Sequence, residues 1–424
     1  MADVVVKKIN ETYVKVECDE GIKAELNDFF SFFAHNYQFS PLYRKRIWNG
    51  KVYLYSRKKS QLYVGLIYHL REFCKDRKLT IEIDPSAQQF TPCTMDEVRA
   101  YAASLNLHSR GKPIEPHDYQ ALALFKAIKY HRILLLSPTA SGKSLIAYLI
   151  VRYLLENGNK KGLLIVPNIS LVEQMYGDFK DYSSVNGWDV VTNAQKIYQG
   201  HDKIVNKPLT ISTWQSIYEL PKSFFEQFDF VIGDEAHGFK AKSLTGIMTK
   251  LINAKYRIGT TGTIDDSIVN KLTLEGHFGP GVKLTTTKEL IESGKLSDFE
   301  IKCLVLNYPD QIKKAVKVME YQEEIDFIVR NEARNNFIRN LALDLKGNTL
   351  ILFQFIDKHG KILYNKILEK AGPNRKVFFV YGGTEAEDRE AVRRITEQEE
   401  DAIIVASKGV FSTGVNIRRL HNLI

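Results

Sequence analysis

Short apolar runs alternate with helical segments from residue 115 to the end of the chain. Continuous apolar strands separated by helices indicate a parallel sheet that is covered on both faces. An extended connector at residues 299–308 divides the runs into two groups, so the pattern predicts an α/β fold class with two tandem lobes. The first group covers residues 133–136, 163–166, 209–212, 230–233 and 256–259, and the second covers 349–354, 377–381 and 403–406.

The first 85 residues follow a mixed pattern, which indicates a small α+β unit. Apolar and polar residues alternate over residues 4–16 around an Asn-Glu turn, as in a hairpin. The other elements that the spacing predicts are helices at residues 26–37 and 62–77 and strands at 51–55 and 79–83.

Linker composition at residues 84–91 separates this unit from the rest of the chain. The stretch from Thr94 to Glu97 is a capping box and predicts a helix that runs to about residue 105. We therefore expect three domains, namely a small basic α+β domain at 1–90, a first lobe at 91–300 and a second lobe at 301–424.

Composition narrows the class of protein. Hydrophobic residues make up 44% of 424 residues, which is enough for several globular cores. No apolar run reaches the 18 or so residues of a membrane span, and the N-terminus does not resemble a signal peptide. The four cysteines are scattered, so neither a disulfide framework nor a zinc site is indicated. We expect a cytoplasmic protein in a reducing compartment.

The formal net charge is +9, and its placement is uneven. The window from residue 40 to 80 holds eleven basic and two acidic residues, so it accounts for the whole excess. A local basic field favours a phosphate-rich partner. The alternative is a solvated face with its aromatic residues buried beneath it. The candidate nucleic-acid contacts are Arg44, Lys45, Arg46, Arg57, Lys58 and Lys59, interleaved with Tyr43, Trp48, Tyr53, Tyr55 and Tyr63.

Residues 137–144, SPTASGKS, lie between an apolar strand and an apolar helix. This is the context of a phosphate-binding P-loop, in which backbone N–H groups surround the phosphate oxygens. Lys143 would reach the β- and γ-phosphates, and Ser144 would hold Mg²⁺. Ser137 replaces the first glycine of the usual pattern. The alternative is an ordinary strand–turn–helix corner with an exposed lysine.

A second apolar strand ends in the sequence DEAH at residues 234–237. Asp234 is placed to hold Mg²⁺ opposite Ser144, and Glu235 can orient and deprotonate the attacking water. Adjacent carboxylates are costly at a strand end unless a cation compensates them. By itself the tetrapeptide could instead cap a helix.

Together these motifs resemble the superfamily 2 helicases and translocases. Residues 234–237 look like the DEAH box of that family, and further stretches match its motifs in the same order along the chain. The whole chain, including the basic N-terminal unit, resembles the recombination helicases of T-even bacteriophages. The further motifs are HDYQ at 117–120, IVPNISLVEQ at 165–174, TISTWQS at 210–216, TTGT at 260–263, ILFQ at 351–354 and ASKGVFSTGVN at 406–416.

The resemblance implies two RecA-like lobes that use ATP and Mg²⁺ to drive a DNA helicase or translocase. Its implied partner is branched or forked DNA in recombination, replication and repair, with RNA–DNA hybrids as a further substrate, inside the infected bacterial host. We expect no membrane partner and a monomer.

The resemblance also assigns residues. The nucleotide-binding set is Gln120, Ser137, Thr139, Ala140, Ser141, Gly142, Lys143, Ser144, Gly414 and Asn416. The coupling set is His237, Thr261, Gly262 and Thr263. The motifs add Pro167, Asn168, Thr213 and Ser407 to the nucleic-acid contacts.

The sixth motif of the family should follow the fifth, yet no glutamine follows Gln398 in this sequence. We therefore expect a second lobe that is C-terminally incomplete and lacks the arginine finger. An RNA or RNA–DNA helicase is the alternative enzyme, since such motifs mainly contact the backbone. A nucleic-acid-binding module with a non-hydrolysing nucleotide site is the alternative of another class.

Overall fold

The computed structural model describes residues 2–34, 36–262, 268–411, 417 and 419–424. It divides into two compact units, residues 1–298 and 299–424. The predicted basic domain and first lobe lie together in the first unit, and the three-domain boundaries stay a prediction.

A five-stranded sheet organises the N-terminal part, in the order β5-β6-β2-β1-β7. Strands β1 and β2 pair antiparallel with Val6 opposite Val16, so the predicted hairpin is confirmed. The strands that precede the first lobe are β1 Val4–Lys8, β2 Tyr13–Glu17, β3 Ser31–Phe33, β4 Lys51–Tyr53, β5 Tyr55–Ser56, β6 Gln61–Tyr63, β7 Ile81–Ile83, β8 His108–Ser109 and β9 Lys112–Pro113. Of these, β3 with β4 and β8 with β9 form two short separate pairs. The helices are α1 Glu20–Phe29, α2 Pro41–Arg44, α3 Ile67–Asp76 and α4 Met95–Ser104.

The helix predicted at residues 26–37 is wrong. Helix α1 ends at Phe29, and β3 then pairs antiparallel with β4. Phe30 is buried in the core of this domain, whereas Phe33 is exposed. The pairing with a distant strand overrides the local helical spacing. The capping box is confirmed, since Thr94 and Glu97 exchange hydrogen bonds at the start of α4.

The first lobe is built on a seven-stranded parallel sheet in the order β12-β13-β11-β14-β15-β10-β16. Its strands are β10 Arg132–Leu136, β11 Gly162–Val166, β12 Ala194–Ile197, β13 Leu209–Thr213, β14 Phe230–Asp234, β15 Tyr256–Thr261 and β16 Gly281–Lys283. Its helices are α5 Asp118–Tyr130, α6 Lys143–Glu156, α7 Ile169–Tyr182, α8 Val190–Asn193, α9 Trp214–Ile217, α10 Lys222–Phe225, α11 Lys242–Lys250, α12 Ile268–Phe278 and α13 Thr287–Glu292.

All five strands predicted for this lobe are confirmed, and their apolar character has a clear cause. Ile133 and Leu135 of β10 face a core formed with α5, α6 and α7, whereas Leu134 faces a second core on the other side of the sheet. A strand buried on both faces has no solvent-facing positions, so its residues are apolar throughout.

The N-terminal hairpin docks on the first lobe at the edge where β10 and β15 begin. The carboxylate of Glu11 accepts a hydrogen bond from Arg132 at 2.8 Å, and the hydroxyl of Thr12 accepts one from the buried Arg257 at 2.7 Å. Arg132 and Arg257 lie opposite each other in the parallel ladder. The two domains are therefore joined at the edge of the sheet away from the carboxyl ends of its strands.

The same junction contains a buried histidine. The ring of His277 in α12 lies 5.0 Å from that of Tyr63. Burial lowers the pKa of His277 to about 3. The unfolded chain would take up a proton here near pH 6.5, whereas the folded chain would not do so until about pH 3. Stability therefore falls as the pH drops through this range.

We expect His277→Leu to make unfolding less sensitive to acid. The slope of the unfolding free energy between about pH 6 and pH 4 should fall by about 1.4 kcal/mol per pH unit, because one proton uptake is removed. Urea denaturation at several pH values measures this slope, and the exposed His201→Leu serves as the control. Equal slopes in the unsubstituted protein and His277→Leu would contradict the assignment.

The second unit has a four-stranded parallel sheet in the order β18-β19-β17-β20. The three strands predicted for this region are confirmed. Its elements are α14 Asp310–Val316, α15 Tyr321–Arg330, α16 Glu332–Asp344, β17 Thr349–Phe353, α17 Lys361–Leu368, β18 Val377–Val380, α18 Ala386–Gln398, β19 Ile403–Ser407, α19 Lys408–Phe411 and β20 Asn422–Leu423. Across the described parts of the chain, none of the helices combines the length and apolar character that a bilayer crossing needs.

Candidate active site

The predicted P-loop connects β10 to α6 along the carboxyl edge of the first sheet. Ala140 and Gly142 adopt left-handed backbone conformations, with φ of 64° and 77°. A Cβ atom at Gly142 would lie 2.5 Å from Nε2 of Gln120, so glycine is required there for space as well as conformation. Helix α6 begins at Lys143, and the N–H of Leu145 donates to the carbonyl of Gly142 at 3.0 Å. The N–H groups of Lys143 and Ser144 come before any carbonyl of the helix that could accept from them.

Hydrogen bonds hold this loop in place. Ser137 donates its N–H to the carbonyl of Thr261 at 2.9 Å, and its hydroxyl lies 2.6 Å from that of Ser141. Ser137 is buried, so a side chain stands where the usual pattern has glycine without opening the turn. The loop therefore fits a phosphate-binding turn, since it leads into the N-terminus of α6, where the first N–H groups of a helix lack carbonyl partners within it.

Lys143 and Glu235 come together at the centre of the site. The ammonium of Lys143 donates to Oε1 of Glu235 at 2.7 Å. Nδ1 of His237 lies 3.3 Å from Oε2 of Glu235 and 3.0 Å from Oγ1 of Thr261. A continuous polar chain thus connects the P-loop, the DEAH sequence and the TTGT sequence.

Glu235 is unusual in backbone and in charge. Its φ of 48° and ψ of 52° place a non-glycine residue in the left-handed region, immediately after β14. Burial would raise the pKa of this carboxyl, but hydrogen bonds from His237 and Lys143 outweigh burial and lower the pKa to about 2. Glu235 is therefore held as a paired carboxylate in this structure.

The pKa of Asp234 shifts in the opposite direction from that of Glu235. It is the last residue of β14, and its carboxylate accepts a hydrogen bond from the Thr260 hydroxyl at 2.7 Å. Burial raises the pKa of Asp234 despite this hydrogen bond. A buried carboxylate of this kind is stabilised when a cation lies next to it.

Ser144 has a partner that the sequence did not indicate. Its hydroxyl lies 2.9 Å from the phenol of Tyr182 on α7. The Asp178 carboxyl, one turn earlier on α7, also interacts with Ser144, and burial raises its pKa. These two residues belong to none of the matched motifs, so only the packing of α7 against α6 places them here.

Gln120, which is predicted to bind the nucleotide, is buried, and both ends of its side-chain amide are hydrogen-bonded. Its Nε2 donates to the carbonyl of Ser141 at 3.1 Å, and its Oε1 accepts from the N–H of His117 at 2.9 Å. Tyr119, which the sequence did not single out, donates its hydroxyl to the same Ser141 carbonyl at 2.9 Å. The HDYQ sequence therefore supports the P-loop directly, and its role in nucleotide binding stays a prediction.

The motifs at residues 165–174 and 210–216, which carry predicted nucleic-acid contacts, lie side by side, because β11 and β13 are neighbours with Val166 opposite Thr213. The Asn168 side chain accepts the N–H of Leu171 and caps α7. Thr213 is buried, and its hydroxyl lies 2.8 Å from that of Ser216. In this structure the side chains of Asn168 and Thr213 form hydrogen bonds within their own loops. The carbonyl of Pro167 accepts a hydrogen bond from the side chain of Gln215.

The six predicted cations of the N-terminal domain are exposed, in two groups. Arg57, Lys58 and Lys59 occupy the turn between β5 and β6, whereas Arg44, Lys45 and Arg46 lie at the end of α2. The aromatic residues differ from expectation, because Tyr55 is buried and Tyr53 alone of the five is exposed. Ser407 ends β19 in the second unit. Thr139 and Gly262 lie along the P-loop edge, while Thr263, Gly414 and Asn416 fall outside the described residues.

A parallel sheet whose carboxyl edge carries a P-loop, a DEAH sequence and the TTG start of a coupling motif, followed by a second parallel-sheet unit, defines a superfamily 2 helicase. Comparison with known proteins agrees. The family model described as "DNA helicase UvsW, N-terminal" matches residues 3–84, and the model described as "Type III restriction enzyme, res subunit" matches residues 113–266.

The chain is 34% identical to the ATP-dependent DNA helicase uvsW of Enterobacteria phage T4 over 97% of its own length and 82% of that protein. It belongs to the UvsW family of ATP-dependent DNA helicases. The alignment with the crystal structure of T4 UvsW covers 99% of this chain and 83% of the T4 chain, with a TM-score of 0.62 and 33% identity. The DNA 3'-5' translocase XPB2 of Sulfurisphaera tokodaii is 25% identical over 72% of this chain and 73% of that protein.

Proposed function

We propose that the protein hydrolyses Mg-ATP to remodel branched DNA, by fork regression, Holliday-junction branch migration and removal of R-loops or D-loops. The observation that carries the ATPase part is the 2.7 Å pair between Lys143 and Glu235, which continues through His237 to Thr261. Because of this hydrogen bond, the proposed phosphate-binding lysine and the proposed catalytic glutamate cannot change partners independently of each other. The basic N-terminal domain supports DNA as the partner.

In this proposal Lys143 exchanges partners when nucleotide binds. Its ammonium would leave Glu235 and bind the β- and γ-phosphates. Glu235 then loses a hydrogen-bonded cation, so its pKa rises from about 2 and it becomes a better base for the attacking water. Glu235 is therefore a weak base until the phosphates bind Lys143 and break its hydrogen bond to Glu235.

Mg²⁺ neutralises phosphate charge in such reactions. Ser144 and Asp234 would hold it, and the buried carboxylate of Asp234 gains from a neighbouring cation. His237, next to both Glu235 and Thr261, would report the state of the nucleotide to the coupling residues Thr261, Gly262 and Thr263. The remaining P-loop residues, Thr139 to Gly142, would supply backbone N–H groups.

We expect Tyr182→Phe to weaken the binding of Mg²⁺ at Ser144, so that nucleotide binding needs a higher Mg²⁺ concentration. The Tyr182 hydroxyl can accept the Ser144 proton and leave an oxygen lone pair free for the metal. Losing one neutral hydrogen bond should raise the Mg²⁺ concentration at half-maximal binding by roughly 2- to 10-fold. A fluorescent ATP analogue titrated at increasing Mg²⁺ measures this without requiring hydrolysis.

Tyr176→Phe on the same helix is the matched control, since Tyr176 contacts Lys196 rather than the P-loop. An unchanged Mg²⁺ midpoint in Tyr182→Phe would contradict a positioning role for this hydroxyl.

The proposed substrate is tested by measuring ATP turnover and strand separation on forked, four-way, single-stranded and continuous duplex DNA, with RNA and RNA–DNA hybrids of equal length alongside. We expect the highest stimulation by forked and four-way DNA. Higher stimulation by RNA would favour an RNA helicase, and nucleotide binding without turnover on any substrate would favour a non-hydrolysing module. We further propose a monomer that acts in the cytoplasm of the infected bacterium.

A further inference from the structure

The loop between β3 and β4 folds into a compact knob, residues 36–50, which we call the apolar tip. The ring of Tyr37 stacks on Phe33 at 4.5 Å and meets the edge of Tyr43 at 4.8 Å. A Cβ atom at Gly50 would lie 2.5 Å from the Tyr37 ring, so the chain closes tightly beneath it. The rings of Tyr37, Phe33 and Tyr43 therefore pack on one another at the base of the tip.

Three large apolar side chains of the tip face solvent. Phe39 is 69% exposed, Leu42 is 52% exposed and Ile47 is 71% exposed. The N–H of Ile47 donates to the carbonyl of Leu42 at 3.0 Å, which keeps these two residues together. Single exposed apolar residues are ordinary, but three large ones within one short loop are typical of a binding surface.

The charge around the tip selects its partner. Arg44, Lys45 and Arg46 are exposed at its end, and among the described residues none of them has a carboxylate partner. The sequence contains no Asp or Glu from residue 29 to residue 71. An apolar surface on a stretch of chain that carries basic but no acidic side chains complements a polyanion that also offers apolar faces, which describes nucleic acid with accessible bases.

We propose that the apolar tip packs against the base pair exposed at a DNA branch, with Phe39 and Ile47 on the base face and the neighbouring cations on the flanking phosphates. This rests on the proposed function in branched DNA. Bases inside a continuous duplex are covered by their neighbours, whereas a branch exposes a base face. Apolar side chains such as Phe, Leu and Ile are known to wedge against or between base steps.

The tip differs in kind from the turn that carries Arg57, Lys58 and Lys59. That turn exposes cations, while its neighbour Tyr55 is buried. It can therefore contact phosphates but offers no apolar surface for a base. Phosphate contacts position DNA of any shape, so the selection of branches is assigned to the tip.

The test compares the double variant Phe39→Ala/Ile47→Ala with the unsubstituted protein on a fork and on a continuous duplex of equal length. Loss of stacking should reduce fork affinity by roughly 5- to 150-fold and duplex affinity by less than about twofold. A 2-aminopurine base at the branch should lose its fluorescence response to the protein. Phe39→Tyr, which keeps a ring, should retain both properties.

Two comparison variants make the interpretation specific. Val191→Ala/Ile204→Ala removes similarly exposed apolar side chains from the first lobe and should leave fork affinity unchanged. Arg57→Ala/Lys58→Ala/Lys59→Ala should weaken fork and duplex binding alike and reduce the log–log salt slope by roughly 0.9 for each phosphate that is no longer neutralised. Thermal melting checks that each variant is folded.

The outcomes distinguish the proposed function from the role of the tip. An unsubstituted protein that binds fork and duplex equally overturns the branched-DNA proposal together with the role of the tip. A fork preference that survives Phe39→Ala/Ile47→Ala overturns the tip assignment alone. Equal losses on fork and duplex also overturn it, because they indicate a general contact, and unchanged DNA binding with lost self-association would assign the tip to a protein interface.

Discussion

Lys143→Ala should abolish ATP turnover while DNA binding is largely retained. The ammonium is the one side-chain cation that the P-loop itself carries, and no backbone group can supply its charge to the phosphates. We expect a loss of at least about 100-fold in the DNA-stimulated rate, as for removal of a group that stabilises developing charge. Steady-state ATPase assays and DNA-binding titrations measure the two properties separately.

The pair with Glu235 gives this variant a second signature. Without Lys143, one of the two hydrogen bonds that lower the pKa of Glu235 is lost, so that pKa should rise from about 2. Lys143→Arg should not restore activity, because a planar guanidinium does not reproduce the ammonium geometry. Lys160→Ala, an exposed lysine on the same lobe, is the control. Normal turnover in Lys143→Ala would overturn the nucleotide-site assignment.

Glu235→Gln should separate nucleotide binding from hydrolysis. The amide keeps the size of the side chain and can still meet Lys143 and His237, but it cannot accept the proton of the attacking water. General-base catalysis typically contributes roughly 10²- to 10⁴-fold, and we expect a loss of about that size in turnover. Affinity for Mg-ATP should stay within a few-fold of the original, so the variant should accumulate in a nucleotide-bound state.

Rapid-quench and nucleotide-binding measurements distinguish these effects. Glu219→Gln, which alters an exposed carboxylate of the same lobe, provides the control. If affinity for nucleotide collapses together with turnover, Glu235 is needed to hold the site together rather than to activate water. Its left-handed backbone, which an amide side chain also tolerates, should be unaffected by the substitution.

The apolar pattern predicted the strands of the first lobe that are buried on both faces and missed the two strands at the edges of its sheet. The five central strands of the first lobe are apolar on both faces, so their composition alone marks them. The two strands that were missed, β12 and β16, form the two ends of the sheet order. An edge strand has one neighbour and retains solvent-facing positions, as Gln195 and Lys196 do in β12, so it gives a weaker apolar signal.

At the candidate active site, the sequence likewise predicted the contiguous motifs but not the contacts between residues far apart in the chain. The P-loop and the DEAH sequence follow from the chain itself, because each is a contiguous motif that begins where a buried strand ends. The sequence could not place Tyr182 beside Ser144, because the two residues lie on different helices. It also could not identify the exposed members of the basic domain, since Tyr55 turns inward while Phe39 and Ile47 turn outward.

The sequence by itself determined the two α/β lobes, the place of the P-loop between a strand and a helix, the adjacent acids at a strand end and the basic character of the N-terminal part, because all of these are local patterns of residue type and spacing. The tertiary structure decided which charges meet. It paired Lys143 with Glu235, joined His237 to Thr261, and anchored the hairpin at Glu11 and Thr12 against the first lobe. Such contacts depend on strand order and helix packing, which join residues far apart in the chain and leave no local trace in it.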